Sequence, residues 1–536
     1  MTNNTKKKTT GFLLALTTCF MFFLYAPLEL LFTNQEEFFF DMYILLPPII
    51  CNFLFFLICS IVLFLLVRQE KCYYLFLGAY FIAFICSYVQ GTFFVDWLPT
   101  INGGLINWNE FPIERIKSII LWIAVTAIVY FLFKKMGNEF AERAIRTISI
   151  CMGLMLLFTI IALCISTKGY QKKQILSTAT AKNILTMSEN ENFVILVLDA
   201  VDSPVLNEMI EANPQYQALF NDFTYYTNAM SGYPYTVHSI PLILTGEWYE
   251  KQRDFDEFSK LAYANSPLFK NLEENEYRMG VYETNFAVEA DEQNRFDNIL
   301  DCKRGVKSWF TFCRWQIQMT GYRYAPFDLK RICYVYTNAF NTLKMLPDEE
   351  ELFQDDNLSF YNKLCNEEIE LVDQKCFRFI HVEGAHAPYK YDADMNVTDV
   401  GDYESCVEAS MKIAETYINK LKANDVYDNS CIIIMADHGH GSGFNDNPIL
   451  FIKGRNEHHQ MKKNDAPISY DDLQEAYARL LDGKNSEELF EYHEGDYRER
   501  RFLFQDDDNN PREIMEEYVQ KGHAGNWDTL LKINEF

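Results

Sequence analysis

The sequence predicts two parts: an N-terminal bundle of five membrane-spanning helices, then an α/β domain whose mostly parallel sheet is sandwiched by helices. Three observations carry this. Residues 1–169 hold five long apolar stretches. After residue 191, short apolar runs alternate with helix-like stretches, which is the pattern of strands crossing over into a parallel sheet. Two of those runs end in an aspartate, Asp199 and Asp437. Strand ends of that kind are where open α/β sheets place their ligands. The expected boundaries are 1–169 for the transmembrane domain, 170–191 for a linker and 192–536 for the α/β domain.

The apolar stretches run over residues 12–32, 44–67, 74–97, 118–133 and 144–166. Each is long enough, with tilt or extension for the fourth, to cross a hydrocarbon core. No small-residue cleavage site follows the first, so it reads as a span and not as a signal peptide. Lys6, Lys7 and Lys8 precede span one, Arg68 and Lys71 follow span two, and Lys134, Lys135, Arg143 and Arg146 follow span four. Basic loops stay inside. The N-terminus is therefore expected in the cytoplasm and the α/β domain outside, in a multi-pass protein of the cell membrane. Trp97, Trp108 and Phe111 flank the loop between spans three and four and suit an interfacial segment. Glu29, inside span one, marks either a functional site in the bundle or a helix end.

Charge separates the two parts. Of the net −26, the first 170 residues carry about +2 and the remainder about −28. An acidic domain argues against nucleic acid as a partner and suits one that binds cations. All nine histidines follow residue 230. Of the 14 cysteines, seven lie in each part, and none form a C-x-x-C pair. A zinc ribbon or thioredoxin motif is thereby unsupported. Outside the cell, a disulfide between Cys302 and Cys313 is one option.

The α/β domain opens with Asn192-Phe-Val-Ile-Leu-Val-Leu-Asp199, whose apolar, β-branched run from Phe193 to Leu198 suits a buried parallel strand. Residues 201–220 read as a helix. The segment 231–246, S-G-Y-P-Y-T-V-H-S-I-P-L-I-L-T-G, starts with turn residues and becomes apolar at helical spacing. Thr236 then sits at a helix N-terminus, where free N–H groups and the helix dipole favour an anion such as phosphate. Residues 266–286 read as helix then strand, and 359–373 as helix. Residues 376–381 are a strand that ends at His381 and leads into Gly384-Ala-His386-Ala-Pro388. Residues 403–423 form an amphipathic helix, and 431–437 a strand ending in Asp437-His438-Gly439. Residues 448–453 are a further strand candidate.

Strand ends of a parallel sheet converge on one edge, so Asp199, Asp437 and His438 can meet. Two carboxylates and an imidazole suit a divalent metal, and Thr236 supplies a further oxygen. A metal-bound threonine is a competent nucleophile.

These residues, in this order, resemble the alkaline phosphatase/sulfatase superfamily. In that family an apolar strand ends in a metal-binding acid, as N-F-V-I-L-V-L-D does. A nucleophile opens a helix ending L-x-T-G, as L-I-L-T-G does; a histidine before proline follows a middle strand, as in G-A-H-A-P-Y; and a late strand ends D-H-G. The resemblance covers residues 192–483. Sulfatases carry a cysteine or serine at position 236 and an arginine four residues on. Thr236 and Ile240 depart from that. T-V-H-S-I-P is instead similar to the threonine segment of membrane phosphoethanolamine transferases, which, like lipoteichoic acid synthases, have five N-terminal spans. Those enzymes use glutamate at position 199, where this chain has aspartate.

The resemblance implies a transferase. Thr236 is the expected catalytic nucleophile, and Asp199, Thr236, Asp437 and His438 the expected ligands of zinc or manganese. His386, His381, His440 and Asn447 are the expected substrate contacts. His440 is the candidate to replace a histidine that the transferases carry where this chain has Asp446, before Asn447-Pro448. The expected donor is a membrane phospholipid and the acceptor a glycan or glycolipid, joined through a phospho-threonine. The alternatives are a membrane-tethered phosphodiesterase or sulfatase-like hydrolase and, from another class, a non-catalytic envelope scaffold or sensor.

Overall fold

The computed structural model describes residues 3–35, 38–99, 106–172, 177–286, 288, 293–303, 305–346, 351–398, 400–440, 446–505 and 514–536. The chain divides into two compact units: Met1–Ile175 with Lys303–Met345, and Leu176–Cys302 with Leu346–Phe536.

The first unit contains five helices long and apolar enough to cross a membrane: α1 (Lys8–Thr33), α2 (Met42–Leu66), α3 (Glu70–Phe93), α4 (Pro112–Met136) and α5 (Asn138–Ser166). They mark the chain as an integral membrane protein. Each has 24 to 29 residues, which at about 1.5 Å per residue exceeds a hydrocarbon core of about 30 Å. The fourth helix is longer than the apolar stretch 118–133. Pro112 is tolerated in a first turn, and Arg115 and Lys117 interrupt the hydropathy without interrupting the helix.

Residues 303–345 leave the α/β sequence and pack on this bundle, a grouping absent from the expected boundaries. The insertion holds a helix, Trp309–Tyr324, and a short turn of helix, Phe327–Lys330. Its Arg323 pairs with Glu29 at 2.5 Å and donates to the Gly91 carbonyl at 2.8 Å. Gln90 donates to the Ala325 carbonyl at 2.6 Å, and the Phe327 amide donates to Ser118 at 3.3 Å. Phe312 meets Phe40 edge-on, and Phe327 stacks on Trp97. Glu29 thus has a cationic partner that hydropathy could not supply.

The second unit is built on a seven-stranded sheet. Its strands are β1 (Asn192–Leu198), β2 (Thr224–Tyr226), β3 (Arg278–Tyr282), β4 (Cys376–Val382), β5 (Ser430–Met435), β6 (Leu450–Lys453) and β7 (Lys462–Asn464). The spatial order is β7-β2-β6-β5-β1-β4-β3. Only β6 runs against its neighbours; the other pairings are parallel. The sheet is mostly parallel, as its sequence pattern predicts. Every residue of β1, β4 and β5 is buried, so both faces are covered. Each large apolar side chain there contributes about 1.5–3 kcal/mol relative to exposure.

Three local features differ from the sequence reading. Ser177–Ala179 and Thr186–Ser188 are strands, pairing with Ile299–Asp301 and Glu370–Val372, within the stretch read as a linker. The helix over 201–220 is two, Ser203–Ala212 and Pro214–Leu219, because Pro214 cannot continue the first. Cys302 and Cys313 are not joined by a disulfide.

Candidate active site

Register brings the site together. In the parallel pairing of β5 with β1, Met435 lies beside Val197. Two residues on, Asp437 leaves its strand beside Asp199. On the other side of β1, His381 of β4 lies beside Val197. Three adjacent strands therefore deliver Asp437 with His438, then Asp199, then His381 to one edge.

The turn after β1 is tightly held. Ala200 has a left-handed φ of 57°, a conformation that a non-glycine residue keeps only under local constraint. Tyr403, from helix Tyr403–Ala423, supplies it: its hydroxyl donates to the Ala200 carbonyl at 2.9 Å and accepts from the Asp202 amide at 2.8 Å. Gly384, after β4, has φ of 58°. A Cβ on Gly384 would lie 2.3 Å from both the amide nitrogen and the carbonyl oxygen of Asp199. Buried Asn357 grips Gly384 at both ends, donating to its carbonyl at 2.7 Å and accepting from its amide at 2.8 Å.

Ligand atoms of Asp199, Asp437 and His438 lie within 4.8 Å of one another, all buried. His438 Nε2 is 3.3 Å from Asp199 Oδ1 and 3.6 Å from Asp437 Oδ2. Its Nδ1 is 2.7 Å from the Gly439 carbonyl. That contact assigns the proton to Nδ1 and leaves the Nε2 lone pair toward the carboxylates. Thr236 is the first residue of helix α6 (Thr236–Thr245), whose N-terminus has no side-chain cap. Its Oγ1 lies 3.4 Å from Asp199 Oδ2 and 3.4 Å from His438 Nε2.

The electrostatics favour a cation. Burial raises the Asp199 carboxyl, yet the imidazoles of His381, His438 and His386 outweigh it and hold the group below the usual carboxylate range. Burial and then the Asp199 charge push Asp437 up. Burial opposes protonation of His438, but Asp437 and Asp199 raise it. Asp199 Oδ1, Asp437 Oδ2 and His381 Nε2 are buried without a hydrogen-bond partner. Such atoms demand compensation, and a divalent cation among them fits.

The other expected site residues divide. His381 adjoins the cluster: Nε2 is 3.6 Å from Asp199 Oδ2, while Nδ1 is 2.5 Å from Glu283. Burial lowers His381, and Glu283, Asp199 and Asp437 together more than reverse it. His386 is exposed at the rim, its ring 6.5 Å from that of His438. His440 stacks on Tyr403 at 3.6 Å, facing that aromatic ring. Asn447 is buried, and its amide donates to the carbonyls of Thr227 and Ala229 at 3.1 and 3.0 Å, so it pins backbone. Glu283 escaped the sequence reading. Its signal was the same as that of Asp199: an acid directly after a buried strand, here R-M-G-V-Y-E.

Asp446 is buried and accepts from the amide and hydroxyl of Ser231, at 2.8 and 2.5 Å. Burial above all lifts its titration from 3.8 to about 6. The folded protein then holds this proton more tightly than the unfolded chain, so raising pH from about 4 to about 6 withdraws stability. In cation-free buffer, Asp446→Asn is expected to lose that decline. Thermal melts of both proteins across the range check it, and parallel curves would count against it.

A buried Asp/Asp/His cluster thus stands at the carboxyl edge of a mostly parallel sheet beside a hydroxyl at a helix N-terminus, a donor set that fits a divalent cation. The family comparison gives the matching answer: the model described as Sulfatase matches residues 191–487, and the chain belongs to that family. Members of its superfamily are enzymes that use divalent metals. Solved structures similar to this chain include three with the following measures. The lipoteichoic acid synthase LtaP from Listeria monocytogenes is 12% identical, with 67% of this chain and 88% of that one covered at a TM-score of 0.34. The PsFucS1 sulfatase from Pseudoalteromonas sp. is 13% identical, with 65% and 84% covered at 0.36. The phosphonate monoester hydrolase SpPMH from Silicibacter pomeroyi is 12% identical, with 64% and 88% covered at 0.33. The search of curated proteins found no match.

Proposed function

We propose that this protein is a membrane-bound transferase that moves a phospholipid head group, phosphoethanolamine or phosphoglycerol, to a cell-envelope glycan or glycolipid. The observation that carries the reading is Thr236: its Oγ1 sits 3.4 Å from both Asp199 and His438, in a chain with five membrane-spanning helices. In this reading the N-terminus is cytoplasmic and the catalytic unit extracytoplasmic, facing the donor leaflet.

Thr236 Oγ1 forms a bond to the donor phosphorus, and the bond from phosphorus to the diacylglycerol oxygen breaks. Diacylglycerol leaves as the alcohol, taking up a proton. An acceptor hydroxyl then attacks the phospho-threonine and the Thr236 hydroxyl is restored. The chemistry that a divalent cation, zinc or manganese, supplies when held by Asp199, Asp437, His438 and Thr236 is neutralisation of phosphoryl and threonine oxygen charge. The free N–H groups of α6 face the same anion. His386, exposed at the rim, gives or receives the proton at the leaving and entering oxygens. His381, held by Glu283, orients Asp199. His440 is left as a wall of the acceptor side.

The test is intact mass of the full-length protein incubated with phosphatidylethanolamine or phosphatidylglycerol. A mass increment equal to one phospho-head group, with diacylglycerol released, is expected for the true donor. Diacylglycerol released with no covalent increment at any time would reject the phospho-threonine. Free phospho-head group as the sole final product in the presence of glycans would make it a hydrolase.

Cation removal is a separate check. Chelation is expected to lower the melting temperature as well as the rate, because a ligand at about 100 times its Kd stabilises by about 2.7 kcal/mol. Zinc or manganese should restore both. A melting temperature indifferent to chelator and to added metal would sink the cation assignment.

A further inference from the structure

The insertion 303–345 is unlike the domain whose sequence it interrupts. It carries eight Lys or Arg residues and one acid, Asp328, within a chain of net charge −26. It also carries ten aromatic residues. Cations and aromatics together are the composition of segments that lie at the membrane–water interface.

Its place in the first unit agrees. The insertion touches α1 at Glu29, near the end at Thr33, and α3 at Gln90 and Gly91, near the end at Phe93. It touches α4 at Arg115 and Ser118, near the start at Pro112. Successive spans alternate in direction, so these three places lie at one end of the bundle, where a bilayer's headgroups begin. Tyr322 donates to the Pro99 carbonyl at 2.9 Å, and Trp108 meets both Tyr322 and Phe327. The aromatic loop between α3 and α4 thus joins the same layer.

The inward face of the insertion is occupied by these contacts; its outward face is not polar. Trp309 is 46% exposed, Phe310 78%, Leu329 49% and Ile332 67%. Lys303, Lys307, Arg314 and Arg331 of the same insertion are exposed as well. We propose that this face of residues 303–345 seats in the headgroup layer of the bilayer that the five helices cross, and that its exposed cations bind anionic phospholipid headgroups there. The apolar rings would enter the upper acyl region while Lys and Arg reach phosphate. The insertion belongs to the first unit and the Asp199 cluster to the second, so the proposal would hold for any activity at that site.

The experiment uses full-length protein in nanodiscs that contain a phospholipid with a photoreactive diazirine near its headgroup, followed by peptide mapping. One preparation carries the group on phosphatidylglycerol, the other on phosphatidylcholine. Labels are expected on Trp309, Phe310, Leu329 and Ile332 in both, with a higher yield from phosphatidylglycerol. Arg314→Glu with Arg331→Glu should reduce that excess, by about fivefold for each cation lost. Phe310→Ser with Ile332→Ser should lower labelling by both lipids. Melting temperature identifies any variant that fails to fold. An unlabelled insertion beside labelled α2 and α4 would overturn the proposal. So would photocrosslinks from this face to a second copy of the chain, and an anionic excess that survives the paired arginine substitutions would remove the headgroup part.

Discussion

Replacing Thr236 with alanine is expected to eliminate the covalent head-group adduct and to lower transfer by at least about a thousandfold, the scale on which loss of a nucleophile acts. The substitution should leave the fold intact. Thr236 opens α6 without capping it, and alanine is a good helix former. Thr236→Ser keeps the oxygen and should keep the adduct at a reduced rate. Intact mass and diacylglycerol release measured on the three proteins decide the matter. An adduct that persists in the alanine protein would transfer the role elsewhere. Ser239 is the nearest hydroxyl on the helix, but it is fully buried and donates to the Tyr233 carbonyl at 3.1 Å, so it is committed to packing.

Gly384→Ala is expected to be the most damaging change that leaves every proposed ligand in place. The added methyl would lie 2.3 Å from two backbone atoms of Asp199, and backbone cannot rotate away as a side chain can. The left-handed φ adds strain of its own. Together these should destabilise the second unit by about 3 kcal/mol, or roughly 4–5 °C in melting temperature for a unit of this size. The shift of Asp199 should also weaken cation retention. A melting curve and the metal content of the purified variant are the measurements. Wild-type values in both would show that the turn after β4 can yield. Asn357→Ala would then have little effect as well, since its two bonds serve the same turn.

The parts of the site legible in the sequence are those carried by local patterns. An apolar run into Asp199 and another into Asp437-His438 declare buried strands and their ends, and Ser231–Gly246 declares a turn into a helix. Parallel pairing then leaves little freedom in where those ends meet. Glu283 ends a strand in the same way, but nothing near it in sequence says that β3 borders β4 or that His381 would face it. Nothing near Asn447 in sequence says that its buried amide donates to the carbonyls of Thr227 and Ala229, 220 and 218 residues earlier. The insertion was opaque for a related reason. Its cations and aromatics read as mixed character until the ends of α1, α3 and α4 supply a surface to measure them against.

The strand order has a consequence for how the protein is made. β1 is apolar from Phe193 to Leu198, and both of its neighbours, β4 and β5, lie far downstream. Between the end of β1 at Leu198 and the start of β4 at Cys376 the ribosome must add 178 residues, which at about 5–20 residues per second takes roughly ten to forty seconds. Throughout that interval both edges of this apolar strand lack their partners, a condition that invites aggregation. Synthesis also delivers the aromatic insertion before β4 exists. The nascent chain therefore has to keep β1 unpaired, beside a membrane, until the strand carrying His381 arrives.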